Sequence, residues 1–143
     1  MPSAQRSVVI NRPPGEVFDF FTNPINESRW RTHLKEVSAS GPLGVGSRVH
    51  QVVKGPGGRG IPADIEVTVY QPPERYAFRV VAGPVRPTGE YRFAGVGDTT
   101  TVSLSLEAQM SGLKKLLMSR AVQKSMDGEM RALSRAKALL ENT

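Results

Sequence analysis

Thr101-Val102-Ser103-Leu104-Ser105-Leu106-Glu107 alternates polar and apolar residues without a break. A period of two sends the apolar side chains to one face of an extended strand and the polar ones to the other. The same beat occurs four times upstream. Val49, Gln51 and Val53 alternate with Arg48, His50 and Val52, and Ile65, Val67 and Val69 alternate with Asp64, Glu66 and Thr68. Tyr76, Phe78 and Val80 stand against Ala77, Arg79 and Val81, then Tyr91 and Phe93 against Glu90 and Arg92. Turn signals at Pro72-Pro73, Gly83-Pro84 and residues 95–98 separate these runs. Successive one-sided strands of this kind make an antiparallel meander with one wet face.

The flanks supply what covers the dry face. Ser7-Val8-Val9-Ile10 reads as a first strand, ended by Pro13-Pro14-Gly15. Val17, Phe18 and Phe21 then recur at helical spacing until Pro24, and a second short helix is expected near residues 25–29, before Trp30. At the other end Ser111 can cap a helix, and no proline follows it through Thr143. Val122, Met126, Met130, Leu133 and Leu140 cluster on one side of that helix, with Arg120, Lys124, Arg131 and Arg135 opposite. Leu113, Leu116 and Leu117 fall off the stripe, so the helix either bends near residues 118–122 or uses these leucines as a cover. A sheet with one apolar face must bury it, and this helix, about 45 Å long, is the only element large enough. The expectation is an α+β fold: a curved antiparallel sheet of about seven strands around a long C-terminal helix, with two short helices after the first strand.

Composition narrows the chemistry. The 143 residues (15.6 kDa) suit a single domain over 1–143. No cysteine is present, which excludes a disulfide scaffold, thiol catalysis, zinc fingers and thiolate-ligated clusters. With His33 and His50 the only histidines, neither a metal nor a cofactor is expected. No run approaches the roughly 20 apolar residues of a membrane span. Residues 1–12 lack the apolar core of a signal peptide, so a cytoplasmic protein is expected.

In that order the elements resemble the helix-grip fold of the START-like (SRPBCC) superfamily, specifically its polyketide cyclase/dehydrase-like branch. The resemblance rests on Val17-Phe18-Asp19, on Trp30, on Gly44-Val45-Gly46-Ser47-Arg48, and on Pro72-Pro73-Glu74-Arg75 before Tyr76-Ala77-Phe78. Gly97-Asp98-Thr99-Thr100 and the terminal Lys137-Ala138-Leu139-Leu140-Glu141 complete it, so that it spans nearly the whole chain. Ala136 departs from the pattern, where a larger aliphatic is usual, and is expected to leave local room against the sheet. The resemblance implies a deep apolar cavity between sheet and helix that holds a lipid, polyketide or similar hydrophobic molecule. It does not fix a reaction.

The residues expected to meet such a ligand are Phe21, Trp30, His33, Gln51, Val67, Val69, Phe78, Tyr91, Phe93, Leu104, Leu117 and Val122. Few of these move protons. Asp64, Glu66, Glu90 and Glu107 fall on the polar register, where Arg79 and Arg92 can pair with carboxylates across strands. His33 reads as an exposed loop residue with general base as its alternative role, and His50 faces outward. Gln51 between inward valines needs partners for its amide, which a polar ligand group or water would supply. Two functions follow: a carrier or sensor of a hydrophobic small molecule, or a cyclase/dehydratase-like enzyme in which Tyr91, His33 or Gln51 polarises a carbonyl. No catalytic residue is assigned.

Two further signals point elsewhere. Gly55-Pro56-Gly57-Gly58-Arg59-Gly60 spells G-x-G-x-x-G, but Ile61-Pro62 leads into a strand and not the helix that a dinucleotide site requires, so it is expected to be a hairpin near the cavity mouth. Residues 111–143 carry seven lysines and arginines against three acids, without aromatic residues, which disfavours nucleic acid. A weak contact with a membrane surface or acidic partner through this stripe, by a monomer or homodimer, is the remaining partner expectation.

Overall fold

The computed structural model describes residues 3–39, 41–83, 86–108 and 112–142, with side chains at all of these except 56 and 112–119. β1 (Ser3–Ile10) leads into α1 (Pro14–Thr22) and α2 (Pro24–Trp30), followed by β2 (Leu34–Ala39), β3 (Arg48–Lys54) and the short β4 (Gly60–Pro62). β5 (Ile65–Gln71), β6 (Arg75–Val80), β7 (Thr88–Val96) and β8 (Thr99–Glu107) precede α3 (Gly112–Glu141). Every pairing is antiparallel, in the order β1-β8-β7-β6-β5-β3-β2, with β4 beside β3. This is the helix-grip arrangement that the sequence pattern leads to.

Local chemistry sets the junctions. Pro14 opens α1 at a position where the missing N–H costs nothing. Asn23 separates the two short helices, and its Oδ1 accepts from the Ile25 N–H at 3.1 Å. α3 runs without interruption through residues 118–122. Leu113, Leu116 and Leu117 lie outside the described side chains.

The inward rows are continuous across strands. Ala4, Leu106, Gly89, Phe78 and Val67 oppose one another, and the next row is Arg6, Leu104, Tyr91, Tyr76 and Tyr70. Between them β5 carries a bulge: Val67 opposes Phe78, but Val69 opposes Ala77, leaving Thr68 as an extra residue. One inserted residue flips the parity of everything after it. Val69 therefore joins the outward row of Ala77 and Glu90, and Tyr70 takes the inward place, its ring 5.4 Å from Phe18. The strict alternation read from the sequence fails here for that reason.

α3 buries Val122, Met126, Met130, Leu133, Ala136 and Leu140 against α1, α2 and the sheet in one continuous apolar cluster. Ala136 is fully buried within this cluster. Arg120, Lys124, Arg131 and Arg135 face solvent, as the helical pattern requires. α3 also grips the free edge of β1. The Gln123 side chain bonds both the N–H (3.2 Å) and the C=O (2.7 Å) of Ser3, Lys137 Nζ donates to the Val9 carbonyl at 2.6 Å, and the Asn11 N–H donates to Glu141 Oε2 at 2.9 Å.

Gly89 is a packing requirement. A Cβ there would stand 2.4 Å from Phe78 Cζ and 2.8 Å from Leu106 Cδ2, inside any normal contact. Substituting Gly89→Ala is expected to cost about 1–3 kcal/mol through forced displacement of these side chains. Urea unfolding checks this, and unchanged stability would mean that the two side chains do not close over this position.

Candidate functional site

The interior wall is aromatic. Phe21 is its hub, with ring centroids 5.1 Å from Trp30, 5.4 Å from Tyr91 and 5.9 Å from Phe93. Tyr91 stacks between Tyr76 and Phe93 at 6.0 and 6.2 Å. Val67, Leu104 and Val122 are buried in the same cluster, and Phe78 packs at its border. Of the residues expected to meet a ligand, the described ones thus converge on one interior, and three of the set need separate mention.

Val69 is the first: the bulge turns it to the outer face, where it lines a cleft of about 640 Å³ together with Thr68, Ala77, Thr88, Glu90 and Ser105. Leu117 is the second, lying outside the described side chains. His33 is the third. It is not a free loop residue, because its Nε2 hydrogen-bonds Glu129 Oε1 on α3. Gln51 does reach the interior, but the protein itself meets its amide: Arg31 Nη1 donates to Gln51 Oε1 at 2.6 Å, and Gln51 Nε2 donates to the Ala63 carbonyl at 3.0 Å. His50 faces outward and pairs with Asp64 at 2.9 Å. Glu66 with Arg79, as expected, and Glu90 with Arg75 form cross-strand pairs of the wet face, whereas Arg92 pairs with Glu90 along β7 itself. The glycine-rich segment is the expected hairpin between β3 and β4, with Gly57 and Gly58 at φ 71° and 79°; Lys35 Nζ on β2 donates to the Gly58 carbonyl at 3.0 Å. Its described side-chain tie is thus to the β2 edge and not to α3.

Arg31 is the residue that sequence reasoning missed. It sits in the polar run Arg31-Thr32-His33 immediately after α2, yet only 9% of its surface is exposed. Its guanidinium donates from Nη2 to Glu129 Oε1 at 2.9 Å, from Nη1 to Gln51, and more loosely to Glu27 Oε2 at 3.4 Å. Glu27 is equally hidden, one helical turn before it on α2. The spacing Glu27/Arg31 was the available signal, since residues four apart on a helix are neighbours.

The electrostatics of the cluster are asymmetric. Burial works against the charge of Arg31, but Glu129 and Glu27 outweigh it and hold the guanidinium charged. Burial also opposes Glu129, yet Arg31 and the hydrogen bond from His33 hold its carboxyl at about 2. For Glu27 burial wins over Arg31, with Glu129 adding repulsion, and its carboxyl is pushed up from 4.5 to about 6. Tyr91 and Tyr76 rise above the ordinary phenol value, chiefly through burial and with Glu27 contributing. Two buried donors at this end of the interior have no hydrogen-bond partner among the described residues: Trp30 Nε1 and Arg31 Nε.

A model of the family "Polyketide cyclase / dehydrase and lipid transport" matches residues 1–139. The chain belongs to this family. No protein of curated function matches it in sequence. Among solved structures it is similar to TTHA0849 from Thermus thermophilus, at 18% identity, TM-score 0.79, and coverage of 96% of this chain and 95% of that one. A START superfamily protein from Mycobacterium smegmatis aligns at 14% identity and TM-score 0.73, covering 98% and 97%. The di-domain aromatase/cyclase ("ARO/CYC") BexL of the BE-7585A biosynthetic pathway aligns at 20% identity and TM-score 0.75, with 97% of this chain covering 50% of that one. Membership gives a hydrophobic-ligand-binding or cyclase type of fold. Among the described residues no group of acids and histidines could hold a metal ion, and no helix is long and apolar enough to cross a membrane.

Two stability measurements test the cluster. Glu129→Ala strands Arg31 in a dry site and is expected to cost about 3–5 kcal/mol. A loss below about 1 kcal/mol, the range of a surface pair, would mean that the guanidinium is hydrated. For Glu27 the sign is opposite to that of an ordinary paired acid. With a carboxyl at 4.5 unfolded and about 6 folded, the unfolded chain releases its proton first, so this group lowers stability as pH rises from about 4.5 to 6. Glu27→Gln should remove that downward slope in urea unfolding across this window. A variant that keeps the wild-type slope would refute the assignment.

Proposed function

We propose that this protein binds a small hydrophobic molecule in its interior, between the aromatic wall of the sheet and α3, as a carrier or sensor. The observation carrying this reading is the composition of that interior. An apolar and aromatic surface ends at one pole where a few polar groups converge and two donors, Trp30 Nε1 and Arg31 Nε, lack partners. A site lined by apolar side chains with a small number of placed polar groups is what a mainly apolar ligand with one oxygen function needs. The family's description, which joins lipid transport to polyketide cyclisation, agrees with it.

Met126 and Met130 on α3 are buried in one cluster with the aromatic wall, and being unbranched they are the residues suited to repack around a ligand. Met130→Ala should lower stability by about 2–5 kcal/mol and strengthen binding of a probe such as decanol by making room for it. Trp30 is the only tryptophan, so its fluorescence reports the interior directly. A tryptophan signal indifferent to decanol in both proteins would end this reading.

A second reading, a cyclase- or dehydratase-like enzyme, is favoured by one observation. Glu27 is an interior carboxyl whose affinity for a proton is raised toward neutrality, as a general acid or base requires. Turnover of a poly-β-carbonyl thioester that is lost in Glu27→Gln while decanol binding persists would select it.

A further inference from the structure

We infer that the polar pole selects the head group of the bound molecule: a neutral hydroxyl, held between the Glu27 carboxylate and the Trp30 indole N–H, and not a carboxylate. The inference rests on the interior-binding reading above and adds the chemistry of the ligand's polar end.

Glu27 and Trp30 are three residues apart on α2, hence on one face of that helix, and both are buried, Trp30 completely. Trp30 Nε1 offers a hydrogen and has no acceptor among the described residues. An indole donates only, so its counterpart must be an acceptor. Glu27 accepts a loose 3.4 Å contact from Arg31 on Oε2, far from saturating the several acceptor sites of a carboxylate. A group that both accepts from Trp30 and donates to Glu27 completes the pole. A hydroxyl does both. A ketone or ester accepts only and leaves Glu27 unmet, whereas a carboxylate brings a second negative charge into a dry site.

The surrounding charges do not reverse this preference. The groups facing Glu27 are Arg31 just after α2, Glu129 on α3, and the Tyr76 and Tyr91 phenols of β6 and β7. Arg31 is the one cation among them; its Nη atoms are engaged by Glu129, Gln51 and Glu27, and its Nε alone lacks a partner. An incoming anion would find that single N–H while sitting between two carboxylates, Glu27 and Glu129, whose charges already balance the guanidinium, and a buried ion so poorly paired is a costly arrangement. Phenols and aliphatic or alicyclic alcohols are therefore the ligand class, and fatty acids and other free carboxylates are rejected.

The test uses three probes of one chain length, decanol, methyl decanoate and decanoate, titrated near neutral pH into the full chain with Trp30 fluorescence as the readout. Decanol should bind tightest and methyl decanoate more weakly, with decanoate weaker than decanol by about tenfold or more. In Glu27→Gln the decanol-to-decanoate affinity ratio should fall by a similar factor, since the buried negative charge that repels decanoate is gone. If wild-type protein binds decanoate as well as decanol, the selectivity is overturned, and this comparison stands even if the variant fails to fold. Equal decanol-to-decanoate ratios in wild type and Glu27→Gln overturn the role of Glu27. A failure of all three probes to bind removes the interior site itself, which separates that outcome from binding without discrimination.

Discussion

A single buried guanidinium ties together three separate parts of the chain. Arg31 follows α2, Gln51 belongs to β3 and Glu129 to α3, and His33 joins through the same Glu129 oxygen. A charge taken out of water demands geometry that an apolar contact does not, because a displaced oleophilic group finds another neighbour whereas a displaced ion finds none. The cluster thus fixes how the middle of α3 sits relative to α2 and the start of the β2–β3 hairpin. The apolar rows above it set the distance between helix and sheet. Arg31 sets the registration.

The same cluster gives the interior a direction. Most of the described space between sheet and helix is aromatic or aliphatic, with Phe21 touching Trp30, Tyr91 and Phe93, and among the described residues the buried charge collects at the α2 end. The outer face is built the other way, with Glu66, Glu90 and their arginine partners in water. One sheet therefore separates two electrostatic regimes: screened and adjustable pairs outside, and a few unscreened groups inside whose proton affinities move in opposite directions.

Period-two alternation made most of the architecture legible, because strands with one wet face advertise that face residue by residue. It worked for Tyr91, Phe93, Val102 and Leu104, which lie where their parity puts them. It failed at Val69, since Thr68 bulges without any glycine or proline to announce it and the parity flips silently. The polar pole was hidden for another reason. Arg31 and Glu27 look like surface residues to any reading based on hydropathy, and only partners distant in sequence, Gln51 and Glu129, make their burial tolerable. His33 was misplaced by the same blindness. Gln51 was recognisable as an inward amide, but its partner was sought in a ligand and turned out to be the protein.

The grip of α3 on the margin of β1 closes that edge of the sheet. Gln123, Lys137 and Glu141 occupy backbone groups of Ser3, Val9 and Asn11 that no neighbouring strand uses. Swinging the helix wholesale off the sheet would bare a sticky strand border, an invitation to pair with other chains. With that rim held by α3, the strand border is spent within the fold and the chain is protected from self-association.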